Sequence, residues 1–374
     1  MKRWTCILLV LLLTSCVQQK PLEELGLVTA IGYDKEENQL KGTIIYYEFD
    51  PLHPSNTKMV TATSKTSKGI RYKENLSSSK KLVSGQLRVA IYGRELAEEG
   101  IISTIDTLSR DSEIGTMSYL SVSEIPAEEL LSLSQESIDI SNAGTFLYNL
   151  IGQNVRAESL ISPTLHEFMQ AYYSEGKDPI LPLINFRDNT IVIDGMAIFY
   201  FDKVVGSINN EEAFYLKLFL DPYHAGNVEI GIPKENVKKY IIKNNNEDEG
   251  NLFVSLDHLR SDINIELDNL EGPEFNVDLI IKTRMQEITE NYDLGNPAAI
   301  RKIEKEIGKT MKRNMEQLIK KLQEMKSDPV GFGNNYRAKV GYKAFKMEDW
   351  KEHYQNAKIN INVNIEILRT GVMD

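Results

Sequence analysis

The chain has 374 residues, 41% of them hydrophobic, which is enough for two or three domains with sizeable cores. Its formal net charge of −11 disfavours nucleic acid as a partner and gives no help in binding anionic lipid. Only two cysteines occur, Cys6 and Cys16, so a disulfide framework or a thiolate metal site has almost nothing to build on.

In chain order, Lys2 and Arg3 precede an apolar run from Ile7 to Leu13. A bilayer span needs about 20 apolar residues, so the run fits an export signal better. Leu13, Thr14, Ser15 and Cys16 then resemble the bacterial lipobox, in which a diacylglyceryl group is attached to the thiol and cleavage falls just before it. The expectation is a leader over 1–15, a mature chain beginning at lipidated Cys16, and a polar tether over 16–24. Losing Lys2 and Arg3 changes the net charge from −11 to −13, so the anchor has to be covalent. The plainer reading is an ordinary secretory signal that leaves Cys16 a free thiol. Two acyl chains hold a protein at a membrane where one is marginal.

LGLVTAIGYDKEENQLKGTIIYYEFDP predicts a hairpin around DKEENQ, and 53–68 suits an exposed strand or a loop. Residues 70–82 read as weakly helical, 85–93 as a strand, and RELAEEGIISTIDTLSRD as helix broken at Gly100. MSYLSVSE is a strand and IPAEELLSL a helix start. Ser162 and Pro163 are expected as N-cap and N1 of an amphipathic helix ending at Gly176. DPILPLINF follows, with two prolines that forbid helix, and a boundary is placed at 188–190. TIVIDGMAIFYFDKVVGSI gives strands turning at Asp202-Lys203, and NNEEAFYLKLFLD a helix. VEIGIP, KKYIIK, LFVSL, DINIEL and VDLIIKTRMQEI are strand candidates. The run at 244–251 reads as a solvated loop, because it lacks the spaced carboxylates of a calcium loop.

From Pro297 to Met325, apolar residues recur three or four apart: Ile300, Ile303, Ile307, Met311, Met315, Leu318, Leu322 and Met325. That predicts one amphipathic helix about 43 Å long. The terminal ININVNIEI alternates strictly, which argues an antiparallel strand with one wet face and the long helix on its dry face. The expected fold is a three-domain α+β protein of mixed, mainly antiparallel sheets packed with amphipathic helices. Its regions would be an N-terminal one over 25–190, a middle one over 191–250 and a C-terminal domain over 251–374.

No catalytic motif is present. The histidines 53, 166, 224, 258 and 353 are isolated, with no metal-ligand spacing, and GxSxG, GxxxxGK[ST] and GxGxxG are absent. Glu98-Glu99, Glu128-Glu129 and Glu211-Glu212 lie on or near predicted helices, where solvation and end-charge effects account for them. No catalytic, cofactor-binding or metal-binding residue is assigned. Gly331 and Gly333 form a lone GxG that reads as a turn.

Several stretches in order resemble the Ger(x)C family, the lipoprotein C subunits of nutrient germinant receptors in spore-forming bacteria. They are LGLVTAIGYDK, KKLVSGQLRVAIYGRELAEEGI with DTLSRD and PAEELL, LISPTLHEFMQAYYSEGKDPILPLI, and IDGMAIFYFDKVVGSINNEEAF; then come the long helix, GFG, Asp349-Trp350 and the closing strand. The chain departs from the family at Val17-Gln18-Gln19, where a Trp-Asp pair is common, and at Gln86. The resemblance implies a non-enzymatic, three-domain α+β protein on the outer face of the spore inner membrane. It implies two integral membrane partners, the A and B subunits, and no cofactor beyond the diacylglycerol on Cys16, with or without an N-acyl chain. Asp202, Lys203 and Gly206 of the predicted hairpin, with Gly331 and Gly333, are the candidate contact positions. The rival expectation is a lipoprotein that captures a small nutrient for a transporter.

Overall fold

The computed structural model describes residues 21–50, 53–137, 139–242 and 250–370. The expected leader, Cys16, the start of the tether and most of the expected loop at 244–251 lie outside them.

The described residues form a mixed α+β fold with two sheets, one of nine strands and one of four. The first begins with β1 (Leu25–Glu36), β2 (Gln39–Asp50) and β3 (His53–Ser64), an antiparallel meander opened by the predicted hairpin. β1 is buried along most of its length because it lies inside the sheet, and its near-continuous apolar sequence suits burial on both faces. On its other edge it pairs in parallel with β4 (Lys81–Val83) and β5 (Val89–Gly93). β6 (Tyr119–Ser123) and β7 (Ile180–Arg187) continue in parallel, and β8 (Thr190–Tyr200) and β9 (Lys203–Asn209) close the sheet antiparallel. Half of the adjacencies are therefore parallel, because helices return the chain to the same end between β3 and β7.

Those helices are α1 (Ser67–Leu76), α2 (Arg94–Glu99), α3 (Ile102–Ser109), α4 (Ala127–Glu136), α5 (Ala143–Arg156) and α6 (Leu165–Tyr173). One sheet face packs Ile70, Ala97, Ile105 and Phe168 against Val28, Tyr92 and Phe199. The other packs Leu131, Leu147 and Ile151 against Ala30, Ile91 and Ile184, in a core that runs on into the second sheet. Gly100 sits between α2 and α3 at φ +125°, a backbone angle that stops the helix where the sequence predicts. The cap of α6 is Thr164, not Ser162: its hydroxyl and the Glu167 carboxylate form a reciprocal capping box, with Pro163 just outside.

The stretch 188–190, where a boundary is expected, is the turn of the β7–β8 hairpin. Asp188 and Asn189 both have positive φ, as a type I′ turn needs. The expected middle region contributes to both sheets: β8 and β9 to the first, and β10 (Gly226–Pro233) to the second. Between them α7 (Asn210–Leu220) is capped by Asn209 and Glu212.

The second sheet runs β10, β11 (Asn251–Asn269), β12 (Glu274–Ile288), β13 (Lys358–Thr370). LFVSL and DINIEL are thus one long bulged strand. The described part of KKYIIK forms no strand: α8 (Lys234–Val237) runs into a 3-10 turn over Lys238–Tyr240, and Ile241 makes one isolated antiparallel bridge to Tyr292. The long helix α9 (Pro297–Glu324) forms as predicted, with Pro297 at its start and Asn296 capping Ala298 N–H. Ile303, Ile307, Met311, Met315, Leu318 and Leu322 form its buried stripe. Two short helices follow, α10 (Phe332–Val340) and α11 (Met347–Asn356).

β13 keeps its wet face, where Asn360 and Asn362 reach Asn276 and Asp278 at 3.0 Å each. It nevertheless pairs in parallel with β12. Strict alternation reports one dry and one wet face and is blind to strand direction. Here α9 to α11 form a crossover that brings the chain back to the starting end of β12. No helix among the described residues is long and apolar enough to cross a membrane.

Candidate functional site: a buried ionic joint

The tightest polar cluster joins the turn after α6, the end of β8 and the loop between α9 and α10. Two Asp-Pro dipeptides supply its centre, Asp178-Pro179 and Asp328-Pro329. Proline disfavours helical backbone at the preceding residue, so neither segment resumes its helix at the aspartate, which lies a few residues past the end of α6 or α9. Asp178 N–H donates to Asp328 O at 2.9 Å, and Asp328 N–H donates to Asp178 Oδ2 at 2.7 Å, a reciprocal pair across 150 residues.

The Asp328 carboxylate closes the start of α10. Its Oδ1 accepts from Gly331 N–H at 2.8 Å and Phe332 N–H at 3.1 Å; Oδ2 accepts from Gly333 N–H at 2.8 Å and Trp350 Nε1–H at 3.2 Å. Three orphan donors of a helix N-terminus are thereby satisfied by one side chain. Gly331 takes φ +88° to aim them. Asp178 Oδ1 accepts from Phe201 N–H at 3.1 Å, and Oδ2 is ion-paired with Lys351 Nζ. That ammonium also lies over the Tyr200 ring, 4.8 Å from its centre. Ser327 Oγ–H donates to Phe199 O at 2.6 Å. Asp178, Ser327, Asp328, Trp350 and Lys351 are all buried. Burial pushes the Asp328 carboxyl up to about 6, against the pull of the Gly333 and Gly331 N–H groups and with a further push from Asp178.

Each carboxylate oxygen is engaged, so the cluster acts chemically as a clamp. It grips because the backbones touch: a Cβ at Gly333 would lie 2.5 Å from Trp350 Nε1 and 2.8 Å from Gly176 O. Gly331 and Gly333, expected as contact positions, are buried inside this clamp. The hairpin residues lie at a second internal seam. Asp202 Oδ2 accepts from Ile102 N–H at 3.1 Å, at the start of α3, and Gly206 packs on Met325 at the end of α9. Lys203 and Val205 on the same hairpin are exposed. The seam is extended by Lys321, whose ammonium lies 2.7 Å from a Glu212 oxygen.

Sequence reasoning picked out Gly176, the GFG turn and Trp350 separately, and missed Asp178, Asp328 and Lys351. The signal that would have found them is the paired Asp-Pro beside glycine, KDP after Gly176 and SDP before Gly331. The paired glutamates serve local ends, Glu98 against Arg94 and Glu212 in its capping box. Among the described residues no three His, Cys, Asp or Glu side chains converge as metal ligands.

Fold and joint together define a two-sheet α+β protein whose most concentrated polar chemistry is devoted to holding its own halves together. Known proteins place it further. A family profile described as "Spore germination protein N-terminal domain" matches residues 18–186, and one described as "Spore germination B3/ GerAC like, C-terminal" matches 194–371. Along 100% of both chains it is 25% identical to "Spore germination protein GerQC" of Bacillus cereus. It is 22% identical to "Spore germination protein KC" of Bacillus subtilis (strain 168), over 98% of this chain and 96% of that one. The crystal structure of the GerBC protein superposes with a TM-score of 0.55 at 16% identity, covering 90% of this chain and 96% of that one, which shows the shared fold. The chain belongs to the GerAC/GerBC-like family of spore germination proteins, the non-catalytic C subunits of germinant receptors.

Proposed function

We propose that this chain works as a lipid-anchored assembly and signalling subunit of a nutrient germinant receptor. It would be held on the outer face of the spore inner membrane by a diacylglyceryl group on Cys16, beside the integral membrane A and B subunits. Two family profiles in the right order along nearly the whole chain carry the reading, and the LTSC lipobox supports the anchor. The work is done by surface complementarity. The exposed side chains of the Asp202–Gly206 hairpin, Lys203 and Val205, are the contact positions we favour there, with buried Gly331 and Gly333 fixing the frame behind them. In this reading Cys16→Ala frees the protein from spore membranes and lowers germination to the nutrient concerned. Full membrane retention of the variant, measured by fractionating dormant spores, overturns the anchor.

A further inference from the structure

The chain as a whole is acidic, but its longest helix is not. α9 carries eight Lys and Arg against four Glu, in a chain with 43 basic and 54 acidic residues. At about 3.6 residues per turn, Arg301, Lys305, Lys309, Lys312, Arg313 and Lys320 fall within about 120° of one another over a length of about 28 Å, opposite the buried stripe from Ile303 to Leu322. All are exposed except half-buried Lys312. Lys309 pairs with Glu306 at 2.8 Å, and Lys312 lies 3.7 Å from Glu316. Arg301, Lys305, Arg313 and Lys320 have no ion pair among the described residues. Between this face and β13 runs a groove of about 410 Å³, lined by Arg301, Lys305, Lys309 and Lys312 on the helix and by Asn362 and Asn364 on the strand. Glu304 is the one acid in its lining, and its Oε1 already accepts from Ile367 N–H at 2.8 Å.

A helix face made only for water tends to place opposite charges four residues apart. Here each step of four, from Arg301 through Lys305 and Lys309 to Arg313, sets like charge against like, which costs stability unless an anion lies across the row. The face does not resemble a protein contact. Such contacts are depleted in Lys and centre on aromatic anchors, whereas no large apolar side chain of α9 is exposed. We propose that this face of α9 docks on anionic phospholipid headgroups, with phosphates seated in the groove against Arg301, Lys305 and Lys309. The attraction is electrostatic, since nothing apolar is there to insert. It rests on the anchor reading only for bringing a bilayer within reach, and it adds an orientation: a body held to lipid at its N-terminus would turn α9 toward the bilayer.

The test is acetylation of the lipidated full-length protein in two nanodiscs, one of phosphatidylcholine and one of phosphatidylcholine with an equal part of phosphatidylglycerol, followed lysine by lysine by mass spectrometry. Lys305, Lys309 and Lys320 should react several-fold more slowly in the anionic disc, while exposed Lys65 is unchanged. Salt at about 1 M, which confines charge interactions to about 3 Å, should remove the difference. Arg301→Gln with Arg313→Gln removes two exposed, unpaired cations and should weaken the association about 10- to 30-fold, bringing the rates back toward those in the neutral disc. Equal rates in the two discs, slowing that Lys65 shares, slowing that survives high salt, or undiminished protection in the double variant overturns the proposal. Protection that appears only when the other membrane subunits are added also overturns it, and assigns the face to an acidic protein instead. Recovery with the neutral disc reports the anchor on Cys16 and labelling reports α9, so either reading can fail alone.

Discussion

Lys351→Met tests whether the joint between the two halves contributes to stability. The substitution keeps most of the aliphatic stem under Tyr200 and removes the ammonium. Asp178, fully buried, keeps the Phe201 and Asp328 N–H donors but loses its counter-charge, with the Asp328 carboxylate beside it. Removing one partner of a buried ion pair typically costs about 3–5 kcal/mol, because the other charge stays behind without compensation. For a chain of this size that corresponds to a fall in Tm of about 4–7 °C. Asp178→Asn in the same chain removes the stranded charge but keeps an oxygen for only one of the two N–H groups, which donate to separate oxygens in the wild type, so the double variant should recover only part of the loss. Guanidinium and thermal melts of the single and double variants supply the cycle. A cost for Lys351→Met below about 1 kcal/mol, or a double variant no more stable than the single one, would refute the claim that this pair holds the halves together.

Glu74 gives a pH prediction. Its carboxyl is buried beneath α1 with neither oxygen hydrogen-bonded and with Arg71 Nη1 3.9 Å away, and burial pushes it up to about 7 against the opposing pull of Arg71. The folded pKa lies above the unfolded one, so the native state binds the extra proton, and this group's contribution falls as pH rises from about 4.5 through about 7. Wild type should lose about 3 kcal/mol between pH 5 and pH 8 from this source, and Glu74→Gln should flatten that slope; parallel slopes in denaturant melts would contradict the assignment. Gly333→Ala places a methyl group 2.5 Å from Trp350 Nε1, so overpacking should cost about 1–3 kcal/mol. Since the other tryptophan, Trp4, lies in the expected leader, the emission of the mature protein reports Trp350 directly, and an unshifted spectrum with an unchanged melt would count against the close packing.

The parts of this fold that could be read in advance are those whose cause is local. The three-to-four spacing from Ile303 to Leu322 demands a helix whatever surrounds it, and Gly100 breaks α2 from α3 by its own backbone freedom. Alternation in β13 likewise gave its dry and wet faces correctly. Its direction could not follow, because the direction of a strand is decided by the connection that precedes it. Thr164 displaced Ser162 as a cap because Glu167 stands three residues beyond Thr164 and completes the box. KKYIIK carries strand-forming Tyr and Ile and does pair with 291–293 through Ile242 N–H to Asn291 O and Asp293 N–H to Tyr240 O, but this single isolated bridge is too short to make a strand. The joint was the hardest to read: Asp178 and Lys351 are 173 positions apart, and no window of sequence contains both.

The two family segments meet at 186–194, yet that place is no seam in the structure, because β7 and β8 pair across it through a two-residue turn. The first sheet therefore takes its last two strands from the second segment, and α7, leaving β9, lies against both the sheet and α9. From there Gly206 on Met325, Glu212 on Lys321 and the Asp178–Asp328 clamp tie the end of the long helix to β9, to α7 and to the segment before β7, at three separated points. A protein that acts by holding partners needs the spacing between its contact surfaces fixed. The reciprocal bonds, Asp178 N–H to Asp328 O and Asp328 N–H to Asp178 Oδ2, with the buried ion pair, add directional contacts to the packed apolar surface, and a shifted register would leave them unmade. Within that frame Gly333 lets its backbone approach that of Gly176 within contact, and Gly331 turns the chain at φ +88° so that the Asp328 carboxylate meets the start of α10.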